Sequence, residues 1–240
     1  MVRRGTKPQK KVSTDWSPQL AYAVGLITTD GCLSKDGRHI DFTSNDHSLV
    51  ETFRICLNLQ NRIGRKISGF TGRSDAYRVQ FGDVNFYNWL IGLGLKPRKS
   101  RILGTLKIPD KFFFDFLRGC FDGDGTIYSF WDKRWADSFM FYISFSSASK
   151  PFLLWLQRCI NRAIKTSGHI ATDPRNTFQL KYAKADSLVL FPKMHYADTI
   201  PHLKRKLSKA KKIFRLHRNV VLRNKLARVV KLGKHASLRG

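Results

Sequence analysis

Acidic residues are scarce in this chain of 240 residues, which carries 17 Asp and Glu against 44 Lys and Arg for a formal charge of +27. A hydrophobic core needs no such excess, and a polyanionic partner accounts for it. Cysteine is also sparse. Cys32, Cys56, Cys120 and Cys159 stand far apart, with no C-x-x-C pair and no histidine partner nearby, which argues against zinc and for buried free thiols. No stretch approaches the roughly 20 apolar residues of a membrane span, and the basic run Met1 to Lys11 lacks the apolar region of a secretory signal. A soluble, intracellular protein with no membrane partner is expected. The seven histidines are scattered, so no histidine cluster suggests a pH switch.

What is present supports a globular chain: 42% hydrophobic and 12% aromatic residues, enough for one large domain or two modest ones. The charge collects at the ends. Residues 1 to 14 hold five basic and no acidic groups, and residues 204 to 240 hold fourteen and none.

One stretch occurs twice. Val24-Gly25-Leu26-Ile27-Thr28-Thr29-Asp30-Gly31 and Arg118-Gly119-Cys120-Phe121-Asp122-Gly123-Asp124-Gly125 place glycine, aspartate and glycine in the same register, each landmark 94 residues from its counterpart. The surrounding order repeats too. Asp15 or Ser17 can cap a helix that runs through the first motif to Gly31, with Pro18 in its first turn. Ile40 and Phe42, then Tyr77, Val79 and Phe81, alternate with polar residues as strands with one buried face do. Asn45 or Asp46 starts a helix carrying Leu49, Phe53 and Cys56, and Asp83 starts another that ends at Gly92 or Gly94.

After a connector at Gly104 to Asp110 the order restarts with a motif helix from about Asp110 to Asp124. Strands at Ile143 and Phe145 and at Phe178 to Tyr182 follow, with helices at Phe152 to Ile164 and Ser187 to Leu190. An insertion is expected around Tyr128 to Ser138. The fold class is therefore α+β, two pseudo-twofold αββαββα repeats with antiparallel sheets. The chain divides into a basic tail (1–14), a first repeat (15–105), a second repeat (106–212) and a basic C-terminal helix and tail (213–240), the tail loosening from Gly233.

Within each motif helix Ala21, Gly25 and Thr29, and likewise Asp115, Gly119 and Gly123, recur every fourth residue and form a narrow face of mostly small side chains. Gly25 and Gly119 thus mark a close helix interface. Asp30 and Asp124 sit at helix C-termini, where the dipole disfavours negative charge. If the helices pair, the two carboxylates meet, and at about 4 Å they repel by roughly 4 kcal/mol at an effective dielectric near 20. Protonation or a divalent cation must offset that. Hard oxygen ligands favour magnesium, which suits phosphodiester hydrolysis.

The two motifs resemble the signatures of a monomeric, two-motif LAGLIDADG homing endonuclease over about residues 15 to 212. The resemblance implies a DNA-binding saddle of two antiparallel sheets, with the motif helices at its centre, and Mg2+ in the site, where Mn2+ or Ca2+ can also bind. Asp30 and Asp124 match the catalytic metal-binding carboxylates, and the carbonyls of Thr29 and Gly123 lie next to them. Thr28 stands where the second motif has Asp122, a departure in spelling at a position that is not the principal ligand. Lys99 and Lys206 resemble the lysines that approach the active-site water and phosphate. Ser44 or Asn45, and Ser147, take the positions that organise water in relatives, without the larger glutamine-like groups found in some.

Arg38, Arg73, Arg78, Gln80, Arg175, Gln179 and Lys181 lie on the polar strand faces as candidate DNA-reading residues. The implied activity is sequence-specific cleavage of both strands of a long, asymmetric duplex site. The chain begins Met1-Val2-Arg3 and ends Leu238-Arg239-Gly240 without a terminal His-Asn pair, so an intron-encoded or free-standing origin fits better than an intein. The alternative is a noncatalytic nucleic-acid binder of the same fold, either a transcription regulator or a maturase that binds intron RNA.

Overall fold

A computed structural model describes residues 11–67, 76–134, 138–173 and 177–237, with side chains up to Asn224. The first repeat runs α1 (Pro18–Thr29), β1 (Gly31–Leu33), β2 (His39–Ser44), α2 (His47–Cys56), β3 (Gly64–Lys66), β4 (Ala76–Gly82), α3 (Val84–Leu93). The second runs α4 (Phe113–Asp124), β5 (Gly125–Trp131), β6 (Phe139–Ser147), α5 (Lys150–Ile164), β7 (His169–Thr172), β8 (Phe178–Tyr182), α6 (Lys184–Met194), and a long helix α7 (Lys204–Ser237) follows. Both sheets are four-stranded and antiparallel, ordered β1-β2-β4-β3 and β5-β6-β8-β7. The same strand order in both halves is what the repeated pattern requires.

Local chemistry sets the element boundaries. Ser17 caps α1 by accepting the Leu20 N–H at 3.1 Å, and Asp46 caps α2 by accepting the Ser48 N–H at 3.0 Å. Asp83 caps α3 through Phe86 N–H at 2.9 Å, while its other oxygen accepts Lys11 N–H at 2.7 Å and Val12 N–H at 3.0 Å, tying the N-terminal segment to the first repeat. Gly94 ends α3 with φ +109°, a left-handed conformation that a side chain disfavours. The second motif helix begins at Phe113 rather than near Asp110, because Asp110–Phe112 form a 3-10 turn ahead of it.

The core lies between each sheet and its helices. Ile40, Phe42, Val79 and Phe81 bury one face of the first sheet, and Ile143, Phe145, Leu180 and Tyr182 bury the matching face of the second. Phe42 stacks on Phe53 of α2 at 4.5 Å. Each such side chain, fully buried, contributes about 1.5–3 kcal/mol of transfer free energy.

The halves differ in two places. Gly31 pairs with Phe42, eleven residues on, whereas Gly125 pairs with Phe145, twenty residues on, so the second hairpin is nine residues longer. This is the insertion expected near Tyr128 to Ser138. The other difference is α7, which starts at Lys204 and packs Phe214 and His217 against Phe141 at 5.5 and 5.4 Å. Its backbone stays helical through Gly233, where the sequence suggests that a loose tail begins.

Candidate metal and nucleic-acid site

The site begins with the crossing of α1 and α4. A Cβ on Gly25 would lie 2.2 Å from the Phe116 carbonyl oxygen, and one on Gly119 would lie 2.1 Å from that of Tyr22. Backbone therefore meets backbone, and no side chain fits at either position. A polar contact crosses the interface: Tyr22 Oη donates to Asp122 Oδ2 at 2.9 Å. At the motif ends a Cβ on Gly123 would collide with Thr29 Oγ1 at 2.0 Å and with Asp30 Oδ2 at 2.9 Å. The small-residue face read from the sequence is the surface that brings the motif ends together.

Asp30 is half-buried; Asp124 opens to solvent, although protein surrounds its carboxyl on most sides. Burial, then the neighbouring Asp124 charge, raises the Asp30 pKa to about 6, opposed by Lys206 and Lys99. Burial raises that of Asp124 as well, against the same two lysines. Among the described residues neither carboxylate accepts a hydrogen bond or forms an ion pair.

The lysines are engaged elsewhere. Lys206 Nζ donates to the carbonyls of Phe121, Asp122, Gly123 and Gly125 at 2.7, 2.8, 2.9 and 2.6 Å, and Lys99 Nζ donates to Gly31 O. The Lys206 ammonium group caps the negative C-terminal end of α4, and that of Lys99 binds the carbonyl two residues past the end of α1. Burial lowers the Lys206 pKa to about 8 and lowers that of Lys99 in the same direction, with the aspartates pulling both back up. Neither ammonium group forms an ion pair with these carboxylates among the described residues, and the Asp124 charge acts on Asp30.

That donor set fits a hard divalent cation, since Asp30 and Asp124 are acidic oxygens with their own charge repulsion as the driving term. The Gly123 carbonyl is taken by Lys206, and the Thr29 side chain bonds Leu26 O at 3.0 Å within its own helix. No cluster of three or more His, Cys, Asp or Glu that could hold a metal occurs among the described residues.

Residues 112–195, the whole second repeat as far as α6, match the family model described as a LAGLIDADG-like domain. The chain carries the LAGLIDADG fold. Among solved structures it resembles the I-LtrWI LAGLIDADG homing endonuclease bound to target DNA, at 10% identity over 83% of this chain and 89% of that one, TM-score 0.55. It also resembles I-DmoI in complex with DNA and Ca, at 15% identity over 81% and 97%, TM-score 0.53. The N-terminal LAGLIDADG domain of DUF199/WhiA is similar as well, at 15% identity over 83% and 89%, TM-score 0.51. An uncharacterized protein of Methanocaldococcus jannaschii is 25% identical over 127 residues, half of this chain; the chain spans 46% of that relative's length.

The LAGLIDADG sheets put the candidate reading residues on their outer faces. Arg78 pairs with Asp41, which lies on the neighbouring strand and is itself nearly buried, while Gln80 is exposed. Arg38 sits in the turn before β2, and Lys181 is half-buried beside Ser144. Gln179 donates to Asp173 Oδ2 at 3.4 Å. Arg73 and Arg175 lie outside the described residues.

Ser44 and Ser147 stand two residues beyond the partners of Gly31 and Gly125, toward the motif ends. Each accepts the N–H two residues on, of Asp46 at 3.2 Å and of Ser149 at 3.0 Å, so both close matching strand-to-helix turns; Asn45 lies between Ser44 and Asp46 and is exposed. No helix among the described residues is long and apolar enough to cross a membrane.

Sequence reasoning missed the buried network behind the site. Arg118 is fully buried and donates to Asp115 Oδ1, Met194 O and Pro201 O at 2.7, 2.7 and 2.8 Å, with its guanidinium 5.4 Å from the Tyr22 ring. The signal was present: Asp115 and Arg118 are three apart on one helix and of opposite charge.

Proposed function

We propose that the protein is a sequence-specific double-strand DNA endonuclease that hydrolyses one phosphodiester on each strand. The observation that carries this reading is the Asp30–Asp124 pair: two carboxylates brought together at the C-terminal ends of crossed helices, both with raised pKa and neither with a partner among the described residues. Stability alone does not favour such a pair, whereas cation binding does. The DNA held by the I-LtrWI and I-DmoI structures, and the Ca in the latter, support the same chemistry for this chain.

Asp30 and Asp124 would hold Mg2+, with Mn2+ or Ca2+ able to take its place. When bound, the cation supplies positive charge against the phosphoryl oxygens and lowers the pKa of water. The protein does the rest. Each sheet starts at the glycine that follows its catalytic aspartate, so the outer strand faces extend from the carboxylates and lay a duplex across them. Lys99 and Lys206 fix the carbonyls beside the carboxylates and add positive charge close to the scissile phosphates. Because the outward polar residues differ between the sheets, Asp41, Thr43, Arg78 and Gln80 on the first against Ser144, Ser146, Gln179 and Lys181 on the second, a monomer reads a long, asymmetric target.

The second reading is a noncatalytic nucleic-acid binder of the same fold, acting in transcription or, as a maturase, on intron RNA. Its support is that both lysine ammonium groups are occupied by backbone carbonyls. Incubation of the chain with a randomised duplex library and Mg2+, beside Asp30→Asn and Asp124→Asn, separates the two. Wild-type cleavage of both strands in selected duplexes, lost at least about a hundredfold in each variant, is expected. Binding of selected duplexes without any cut would sink the nuclease reading and leave the binder.

A further inference from the structure

The nine-residue extension of the second hairpin changes the chemistry of its sheet. On the outer face of the first sheet β1, β2 and β4 present Cys32, Asp41, Thr43, Arg78 and Gln80. The matching face of the second sheet presents aromatic rings on the extended part. Tyr128 lies directly opposite Tyr142, with ring centroids 5.6 Å apart and planes within 14°; Phe130 lies diagonally from Tyr142 at 6.1 Å and 5°. Phe130 is 44% exposed on this face, while Trp131 at the strand end lies on the opposite one, packed on Phe139 at 5.2 Å. No element among the described residues covers this face, and α7 packs on the opposite one, against Phe141.

Major-groove edges offer hydrogen-bond groups and thymine methyls, and the ring faces of duplex bases are hidden by stacking. A row of aromatic rings has little to do in that groove. It suits bases whose faces are free. Positive charge flanks the row: Lys133 in the turn beyond Trp131, where Arg134 is paired with Asp132, and Lys181 on the same face toward β8. A generic protein partner has no need of cations at both ends, whereas a nucleic-acid strand needs them for its phosphates. Successive outward residues along a strand are about 6.8 Å apart, twice the 3.4 Å spacing of stacked bases, so a nucleic-acid chain lying along the row is extended and unstacked. Unpaired bases are the standing state of RNA loops and bulges.

We propose that the outer face of the β5–β6 extension, built on Tyr128, Phe130 and Tyr142, is a stacking surface for the unpaired bases of single-stranded RNA. This surface is separate from the carboxylate pair and does not depend on cleavage.

The test is binding of the full chain to a labelled, unstructured uridine-rich RNA by fluorescence anisotropy, beside the same RNA with abasic central residues, its DNA counterpart and a duplex. Stacking predicts about fivefold or greater weakening for each base removed, with the backbone unchanged. Tyr128→Leu, Phe130→Leu and Tyr142→Leu keep apolar bulk but remove the ring, and each is expected to weaken RNA binding about fivefold or more while urea unfolding stays cooperative. Equal affinity of the wild type for intact and abasic RNA overturns the proposal whatever the variants do. Single-stranded DNA bound as tightly as RNA, and weakened as much by the three substitutions, overturns the assignment of RNA as the occupant.

Discussion

Thr28 and Asp122 occupy matching places in the two motifs, yet their side chains do different work. Thr28 Oγ1 turns back on its own helix to donate to Val24 O at 2.7 Å. Asp122 is completely buried and accepts Tyr22 Oη at 2.9 Å and Leu203 N–H at 2.8 Å. It joins α4 to α1 on one side and to the start of α7 on the other, and only the second repeat has such a helix to join. The difference between Thr28 of the first motif and Asp122 of the second therefore goes with the attachment of α7. Asp30 has the opposite character, being held near a like charge. Its folded pKa of about 6 lies above the unfolded value of 3.8. Between those values the unfolded chain gives up its proton first, so stability falls as pH rises through about 4 to 6 and the penalty persists above. Asp30→Asn is expected to unfold later than wild type in metal-free buffer at pH 7.5, by up to about 3 kcal/mol, with the gap closing below pH 4. Mg2+ should raise the wild-type melting temperature and leave the variant's unmoved; calorimetry across pH, with and without Mg2+, checks both signs.

At the scale of elements, the crossing of α1 and α4 carries the fold. Gly119→Ala introduces a methyl 2.1 Å from the Tyr22 carbonyl oxygen, and a backbone atom cannot swing aside as a flexible side chain does. The helices must part, moving Asp30 from Asp124. A destabilisation of about 3 kcal/mol or more in urea unfolding is expected, whereas Ala at Gly92, which faces open space inside α3, is expected to stabilise by up to about 1 kcal/mol. Similar effects at both positions would show that the crossing tolerates separation.

Much of this element layer was legible in the sequence, because capping residues and period-2 strands are local signals: Ser17, Asp46, Asp83 and Gly94 all act where their types suggest. The Asp30–Asp124 pairing was legible because the glycine face and the acids recur in register. What stayed hidden is set by distant contacts. Nothing near Lys206 in sequence announces that its ammonium group closes α4, some eighty residues earlier, by reaching four carbonyls. The start of α7 was misplaced because its first turns are almost wholly polar, and the packing of Phe214 on Phe141 decides it. Tyr128 and Tyr142 look unremarkable until the register sets them opposite each other.

For the whole molecule, charge is the dominant long-range property, and it is carried asymmetrically. The formal charge of +27 gathers at the two ends of the chain, and α7 projects the C-terminal share along a helix of 34 residues, about 50 Å long. Its first half is anchored, through Phe214 and His217 on Phe141. In sequence, residues 225–240 carry Lys225, Arg228, Lys231, Lys234 and Arg239 with no acid among them. Removing residues 225–240 should therefore leave the melting temperature within about 2 °C while reducing affinity for any nucleic acid, specific or not. Every phosphate that this segment neutralises adds about 0.9 to the slope of log K against log salt, so the truncated chain is expected to show a slope shallower by between about 1 and 4.5. Anisotropy titrations from 50 to 300 mM salt read that slope directly. An unchanged slope would mean that the end of α7 neutralises no phosphate, and the excess charge would then have to act through the sheet faces alone.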